Sequence, residues 1–289
     1  MDRKKSTQEQ SNQPANRLSI RLKELGYGQD LKDQGDYEGA YEIAYKWLKL
    51  DPNDSAALCL LCAVMIDTDK VAVAYPIARQ LAQNAPEAAV SWLNLGRCAA
   101  DLWRLKEAMR AYKRALSIAK ADQPNSSICV NMGSMLVDHG RFSEADKWCR
   151  KAIAYNPEST KGKANLGFAQ LAARDWAEGW KNYRYCIGEN GRYYAQYNGE
   201  PLWEKQEGTI LLYGEQGLGD EISFAQMLPD TQKWCDEHNS RLIVDVQPRL
   251  KNLLRRSFSE IEIHGSRSQK RIDWNPSEVE YSLPIAQLG

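Results

Sequence analysis

Two groupings in this 289-residue chain have side chains whose type and spacing could do chemistry. The first is GEQGLGDE, from Gly214 to Glu221, which follows a strand-like run, TILLY, and opens a helical pattern. Loops in that position hold the ligands of many α/β proteins, because the strand ends and the helix begins at one edge of the sheet. Gly217, Gly219 and Glu221 would form a ligand-binding loop, and Asp220 is the candidate catalytic carboxylate. The spacing is Gly-x-x-Gly-x-Gly-Asp rather than Gly-x-Gly-x-x-Gly. It sets two carboxylates where a pyrophosphate would lie, so a nicotinamide dinucleotide is not the expected ligand. A structural reading of the same residues has the glycines make a tight turn and Asp220 cap the helix. The second grouping is Asn94, Asn131 and Asn165, found in Asn-Leu-Gly, Asn-Met-Gly and Asn-Leu-Gly. A side-chain amide carries donor and acceptor together, so a row of them can hold the backbone of an extended peptide whatever its sequence; equally, each amide can bond inside its own repeat. Arg97, three residues after Asn94, would face the same surface and pair with an acidic ligand group.

The asparagines share a register because the chain repeats itself. A 34-residue frame beginning at Arg21, Ser55, Ala89, Ser126 and Thr160 puts these amides at its sixth position, in the last three units. The same frame puts Gly28, Cys62, Gly96, Gly133 and Gly167 at position eight and Ala40, Ala74, Ala108, Ala145 and Gly179 at position twenty. Small residues at these two places let paired helices approach closely, which is the tetratricopeptide (TPR) pattern. The third unit matches it most fully, with Trp92, Leu95 and Gly96 followed by Ala108, Tyr112 and Ala115. Pro52, Pro86 and Pro157 at position thirty-two are expected to stop the second helix of a unit. The third unit is three residues longer, with its proline delayed to Pro124, so its second helix is expected to gain nearly one turn. Residues 21–187 are therefore predicted to form an α-solenoid of about five repeats, whose groove takes a protein or extended peptide.

Residues 1–20 are polar and poor in apolar side chains, and are expected to be a flexible tail. After Cys186 the period ends, and residues 188–207 read as a connector that docks by its aromatics. From residue 208 the pattern alternates TILLYG, a helix from about Asp220 to His238, RLIVDV, a helix from about Pro248 to Phe258, and IEIHG. Such alternation predicts parallel strands, and residues 208–289 read as a partial α/β, Rossmann-like half-domain.

The run TILLYGEQGLGDEISFAQMLPD, with VDVQPRLKNLLRRSF and YSLP after it, resembles the first half of the glycosyltransferase-like domain that ends many bacterial TPR proteins. That family is similar in fold to heptosyltransferases and, more distantly, to O-GlcNAc transferase, which places a TPR superhelix before a GT-B region. The resemblance implies a nucleotide-sugar donor and makes Asp220 the position of a candidate general base. It also implies that Asn94, Asn131 and Asn165 match an asparagine ladder. The donor lobe of GT-B enzymes does not occur in this sequence, so no cofactor is expected in this chain. Two functions stay open: a peptide-binding scaffold with an incomplete transferase-like domain, or part of a transferase whose repeats recruit the acceptor.

Lys plus Arg and Asp plus Glu number 38 each, so no net field draws the chain to nucleic acid or to an anionic membrane. No apolar run reaches the length of a membrane helix, the N-terminus lacks the apolar centre of a secretory signal, and a cytoplasmic location is expected. Seven cysteines, mostly at apolar helical positions, read as reduced core residues. Cys59-x-x-Cys62 has no second pair, and His139, His238 and His264 fall in separate elements, so no metal site is expected.

Overall fold

A computed structural model of the chain describes residues 14–187, 197–267, 272 and 274–288. They divide into two compact units, Met1–Gly162 and Lys163–Gly289. The first contains four antiparallel helix pairs: α1 (Pro14–Asp33) with α2 (Tyr37–Leu50), α3 (Ser55–Asp67) with α4 (Val71–Asn84), α5 (Ala89–Asp101) with α6 (Leu105–Ile118), and α7 (Asp122–Asp138) with α8 (Phe142–Tyr155). First helices of successive pairs also touch: α1 with α3, α3 with α5, and α5 with α7. That is the stacking of a TPR solenoid.

The small-residue frame explains the pairing. Ala40, Ala74, Ala108 and Ala145 are fully buried, and a Cβ on Gly96 would enter the ring of Tyr112. A Cβ on Gly133 would come within 2.5 Å of Cys149 Sγ. Every pair also turns the same way. Position fifteen of the frame, Gly35, Asp69, Trp103, Gly140 and Arg174, has φ between 59° and 86° throughout. The amide of the next residue, Asp36, Lys70, Arg104, Arg141 or Asp175, donates back across the turn to Leu31, Met65, Ala99, Leu136 or Gln170 at 2.7–2.9 Å. This bond satisfies a carbonyl that a helix end leaves free, and it requires the left-handed residue. Glycine meets that requirement without strain in only two of the five turns.

Three expectations change. The helix reaches back to Pro14, so residues 14–20 of the expected tail are helical; Arg21 anchors this end on Asp54, while residues 1–13 lie outside the described residues. The longer third unit does not lengthen its second helix, since α6 has 14 residues like α2, α4 and α8. The extra residues extend α7 to 17, with Pro124 in its first turn, where a missing amide proton costs nothing. Finally, the fifth helix pair, α9 (Thr160–Ala172) and α10 (Trp176–Tyr183), lies mostly in the second unit, so the compact boundary falls before residue 187.

In the second unit a Cβ on Gly167 would come within 2.5 Å of the Tyr183 amide, so α9 and α10 meet backbone to backbone. Their core, Ala164, Tyr183 and Cys186, includes Ala286 from the end of the chain. The sheet has four parallel strands in the order β3-β2-β1-β4: β1 (Thr209–Tyr213), β2 (Arg241–Asp245), β3 (Glu262–His264) and β4 (Tyr281–Pro284). Ile210 and Leu212 face one apolar cluster and Leu211 another, which is why TILLY is apolar without alternation. The expected first helix is split into α11 (Leu218–Phe224) and α12 (Leu228–Glu237) around a short 3-10 turn, and α13 (Lys251–Ser257) follows β2. Residues 188–196 of the expected connector lie outside the described residues; beyond them, the amide of Trp203 donates to Ser282 at 2.9 Å and that of Ser282 to Pro201 at 3.0 Å. This short segment thereby covers the open edge of β4.

Candidate functional site

In the first unit the turns and the first helices of the third and fourth pairs enclose a cleft of about 460 Å³. Arg97 and Asp101 reach it from α5, Trp103 from the turn after α5, Asn131 and Asp138 from α7, and His139 from the end of α7. Trp103 is 69 % exposed, and its indole lies against the His139 ring at 4.6 Å between centroids. A bulky side chain at φ 59° is a backbone outlier, and here it projects an aromatic face at the mouth of the cleft. His139 Nδ1 bonds the Met135 carbonyl at 2.8 Å, which puts the proton of a neutral ring on Nδ1. The buried Nε2 is then a bare acceptor with no partner among the described residues.

Of the sequence candidates, the cleft brings together Arg97 and Asn131. The Arg97 guanidinium is occupied, pairing with Asp67 at 2.7 Å, and the Asn131 amide donates to the Ser127 carbonyl one turn back at 2.8 Å. Asn94 is 3 % exposed, and its amide lies 3.5 Å from Cys59 Sγ, so it packs between neighbouring repeats rather than facing solvent. Asn165 belongs to the second unit and is half-buried. A column that the sequence held and the amide row overshadowed is position thirteen: Asp33, Asp67, Asp101 and Asp138, in four consecutive units. Like the asparagines, these could have been found by listing polar residues in the repeat frame.

Cation pairing divides that column. Asp67 receives Lys32 at 3.2 Å as well as Arg97, and Lys32 also pairs with Asp33 at 2.7 Å. No described residue donates to the carboxylates of Asp101 or Asp138. Burial raises the pKa of Asp101, and Asp138 and Asp69 raise it further against the pull of Arg97. Burial likewise raises Asp138, opposed by nearby His139 only when that ring carries a positive charge.

The glycine loop of the second unit is built differently. Asp220 is exposed, and its carboxylate accepts the Gly217 amide at 3.2 Å, so it caps the short α11. Gly217 has an ordinary φ of −73°, and a Cβ on Gly219 would meet nothing within 4 Å. Gly214 is the glycine that close packing demands, because a Cβ there would enter the carboxylate of Glu221. Glu221 is 1 % exposed; its Oε2 accepts the Gln247 amide at 2.9 Å, and Arg267 pairs with Oε1. Asp245, at the end of β2, is buried and accepts from the Tyr197 hydroxyl at 2.7 Å and from the Ser266 amide and hydroxyl at 2.7 and 2.8 Å. These carboxylates tie loops to the sheet.

Among the described residues no group of three or more His, Cys, Asp and Glu is placed to hold a metal ion. Cys62 is buried and Cys59 half-buried, and the Cys59 thiol is pushed up by burial. No described helix is long and apolar enough to cross a membrane.

Comparison with known proteins agrees with the repeat frame. Residues 89–122 and 126–159 match the family described as tetratricopeptide repeat. Protein FlbA of Caulobacter vibrioides is 26 % identical over 229 residues, which are 75 % of this chain and 37 % of that protein. The chain thus spans little more than a third of that relative. The solved structure of PilF from Pseudomonas aeruginosa has a TM-score of 0.55 at 14 % identity and covers 85 % of this chain and 95 % of its own. That of TTC0263, a thermophilic TPR protein of Thermus thermophilus, has a TM-score of 0.51 at 19 % identity over 59 % of this chain and 91 % of its own. At these identities the structures bear on the fold alone, and they agree with the TPR solenoid described above.

Proposed function

We propose that this TPR chain is a scaffold that binds an extended segment of another protein, with the cleft between the third and fourth repeats as its principal contact. The observation that carries the reading is Trp103. It is a large apolar side chain, 69 % exposed, held at a left-handed backbone position beside a cleft on the first-helix face. Exposed indoles in concave sites are a recurrent anchor of protein interfaces, because they bury a large rigid area at little entropic cost. Solenoid stacking supports the same reading, since it generates a continuous surface suited to extended ligands. Binding takes place in the cytoplasm, in keeping with cysteines that form no disulfide among the described residues.

Site-specific photo-crosslinking tests this. A crosslinking amino acid at Ser134, which lines the cleft, is expected to capture a discrete protein in cells. The same probe at exposed Arg110 of α6 should not. Equal capture from both positions contradicts the assignment.

A second reading follows from the glycine loop. Residues 208–289 would be the first half of a glycosyltransferase-like domain, with a nucleotide sugar as the donor of a longer form and the repeats recruiting its acceptor. Its support is the EQGLGDE segment at the end of the first parallel strand, beside β4, where the strand order reverses. In that reading Glu221 holds the loop and Asp220 is the carboxylate open to a substrate. Transfer activity in a form carrying a donor lobe, lost in Asp220→Asn with folding unchanged, is the expected result; activity retained in Asp220→Asn removes the general-base role.

A further inference from the structure

We infer that the cleft between the third and fourth repeats is a receptor for one cationic side chain, an arginine or lysine of the bound segment, stacked on Trp103 and facing Asp101 and Asp138. The inference rests on the peptide-binding reading above and names the chemistry of its ligand.

Three independent features select a cation. The first is an uncompensated charge. Arg97 is the cation lining the cleft, and its guanidinium is already engaged by Asp67. Asp69, Asp101 and Asp138 line the same cleft, and no described residue pairs with their carboxylates. They repel one another across the cleft, so an entering positive charge gains from all three and an entering carboxylate is refused.

The second feature is the aromatic platform. The Trp103 indole is exposed and braced by His139, which leaves a ring face toward a ligand at the cleft mouth. A guanidinium or ammonium over an indole is attracted by its quadrupole, and beside carboxylates the two attractions act on the same group. The third feature is a missing donor. His139 commits Nδ1 to the Met135 carbonyl, and its buried Nε2 has no partner among the described residues. An unpaired buried acceptor is costly, and an N–H donor entering the cleft would satisfy it. A neutral or acidic side chain offers no such combination.

The test uses the full chain and a random nonapeptide library. Selection is expected to enrich arginine or lysine at one position. Replacing that residue by glutamine in a selected peptide should weaken binding at least about tenfold. In the Asp101→Asn/Asp138→Asn double variant this tenfold difference should vanish. Trp103→Gly places at this turn the residue that Gly140 supplies in the next unit, and should also lose the preference. Peptides enriched without a basic position, or a basic preference unchanged in both variants, overturn the inference while leaving peptide binding intact. No enrichment of any peptide overturns this inference and the proposed function together.

Discussion

At the scale of single residues, Trp103 and Gly96 show opposite uses of the same repeat. Trp103 occupies a turn position with φ 59° that Gly140 fills in the next unit. Trp103→Gly is therefore expected to stabilise the fold by about 1 kcal/mol, visible as a higher thermal midpoint. Gly96→Ala is expected to cost about 2 kcal/mol in denaturant unfolding, since its methyl would displace the fully buried Tyr112 ring. The aspartates of the solenoid carry opposite pH signatures. Burial would raise Asp54, but the Arg21 hydrogen bond and the amides of Ala56 and Ala57 outweigh it and hold its pKa below the ordinary 3.8. Its contribution is present above that pH and is lost as pH falls through its folded pKa. Asp101 and Asp138, raised above 3.8, impose a penalty that is absent in acid and complete at neutral pH. Their asparagine variants are expected to melt higher than the parent at pH 7, with the gap closing as pH falls toward 3.8; a gap that is constant with pH contradicts the assignment.

At the scale of elements, the helix pairs were legible because a close approach of two backbones leaves a mark in composition. Gly28, Gly96, Gly133 and Gly167, together with the position-twenty alanines, are such marks. What the sequence hid follows from residues that serve two purposes. Pro124 reads as a stop by analogy with Pro52 and Pro86, yet a proline is equally at home in the first turn of a helix, and there it starts α7. The αL turn was readable at Gly35 and Gly140 but not at Asp69, Trp103 or Arg174, whose side chains give no sign of a positive φ. In the glycine loop, adjacent acids look equivalent in sequence, while the fold buries Glu221 and exposes Asp220. Glu221→Ala would strand the Gln247 amide and the Arg267 guanidinium, and is expected to destabilise the second unit by about 3 kcal/mol. Asp220→Ala loses only a cap of the short α11 and should cost about 1 kcal/mol. Chemical denaturation of both variants checks the contrast.

At the scale of the molecule, equal numbers of acidic and basic residues conceal a local imbalance. Composition excluded a global electrostatic partner; only the repeat frame and the pairing of Lys32 and Arg97 single out Asp101 and Asp138. The three asparagines drew attention in the sequence as a row because they share a column, but a column fixes only the helix face. Whether a side chain meets solvent depends on the neighbouring repeat, as buried Asn94 shows against cleft-lining Asn131. The central claim is that the first-helix face of the third and fourth repeats is where a partner segment binds. Amide hydrogen exchange of the full chain, with and without a library-selected nonapeptide, tests it most directly. Slowed exchange confined to the turns and helix ends around residues 97–104 and 131–140 is the expected result, and slowing that spares them and falls instead on the loop at 214–221 would contradict it.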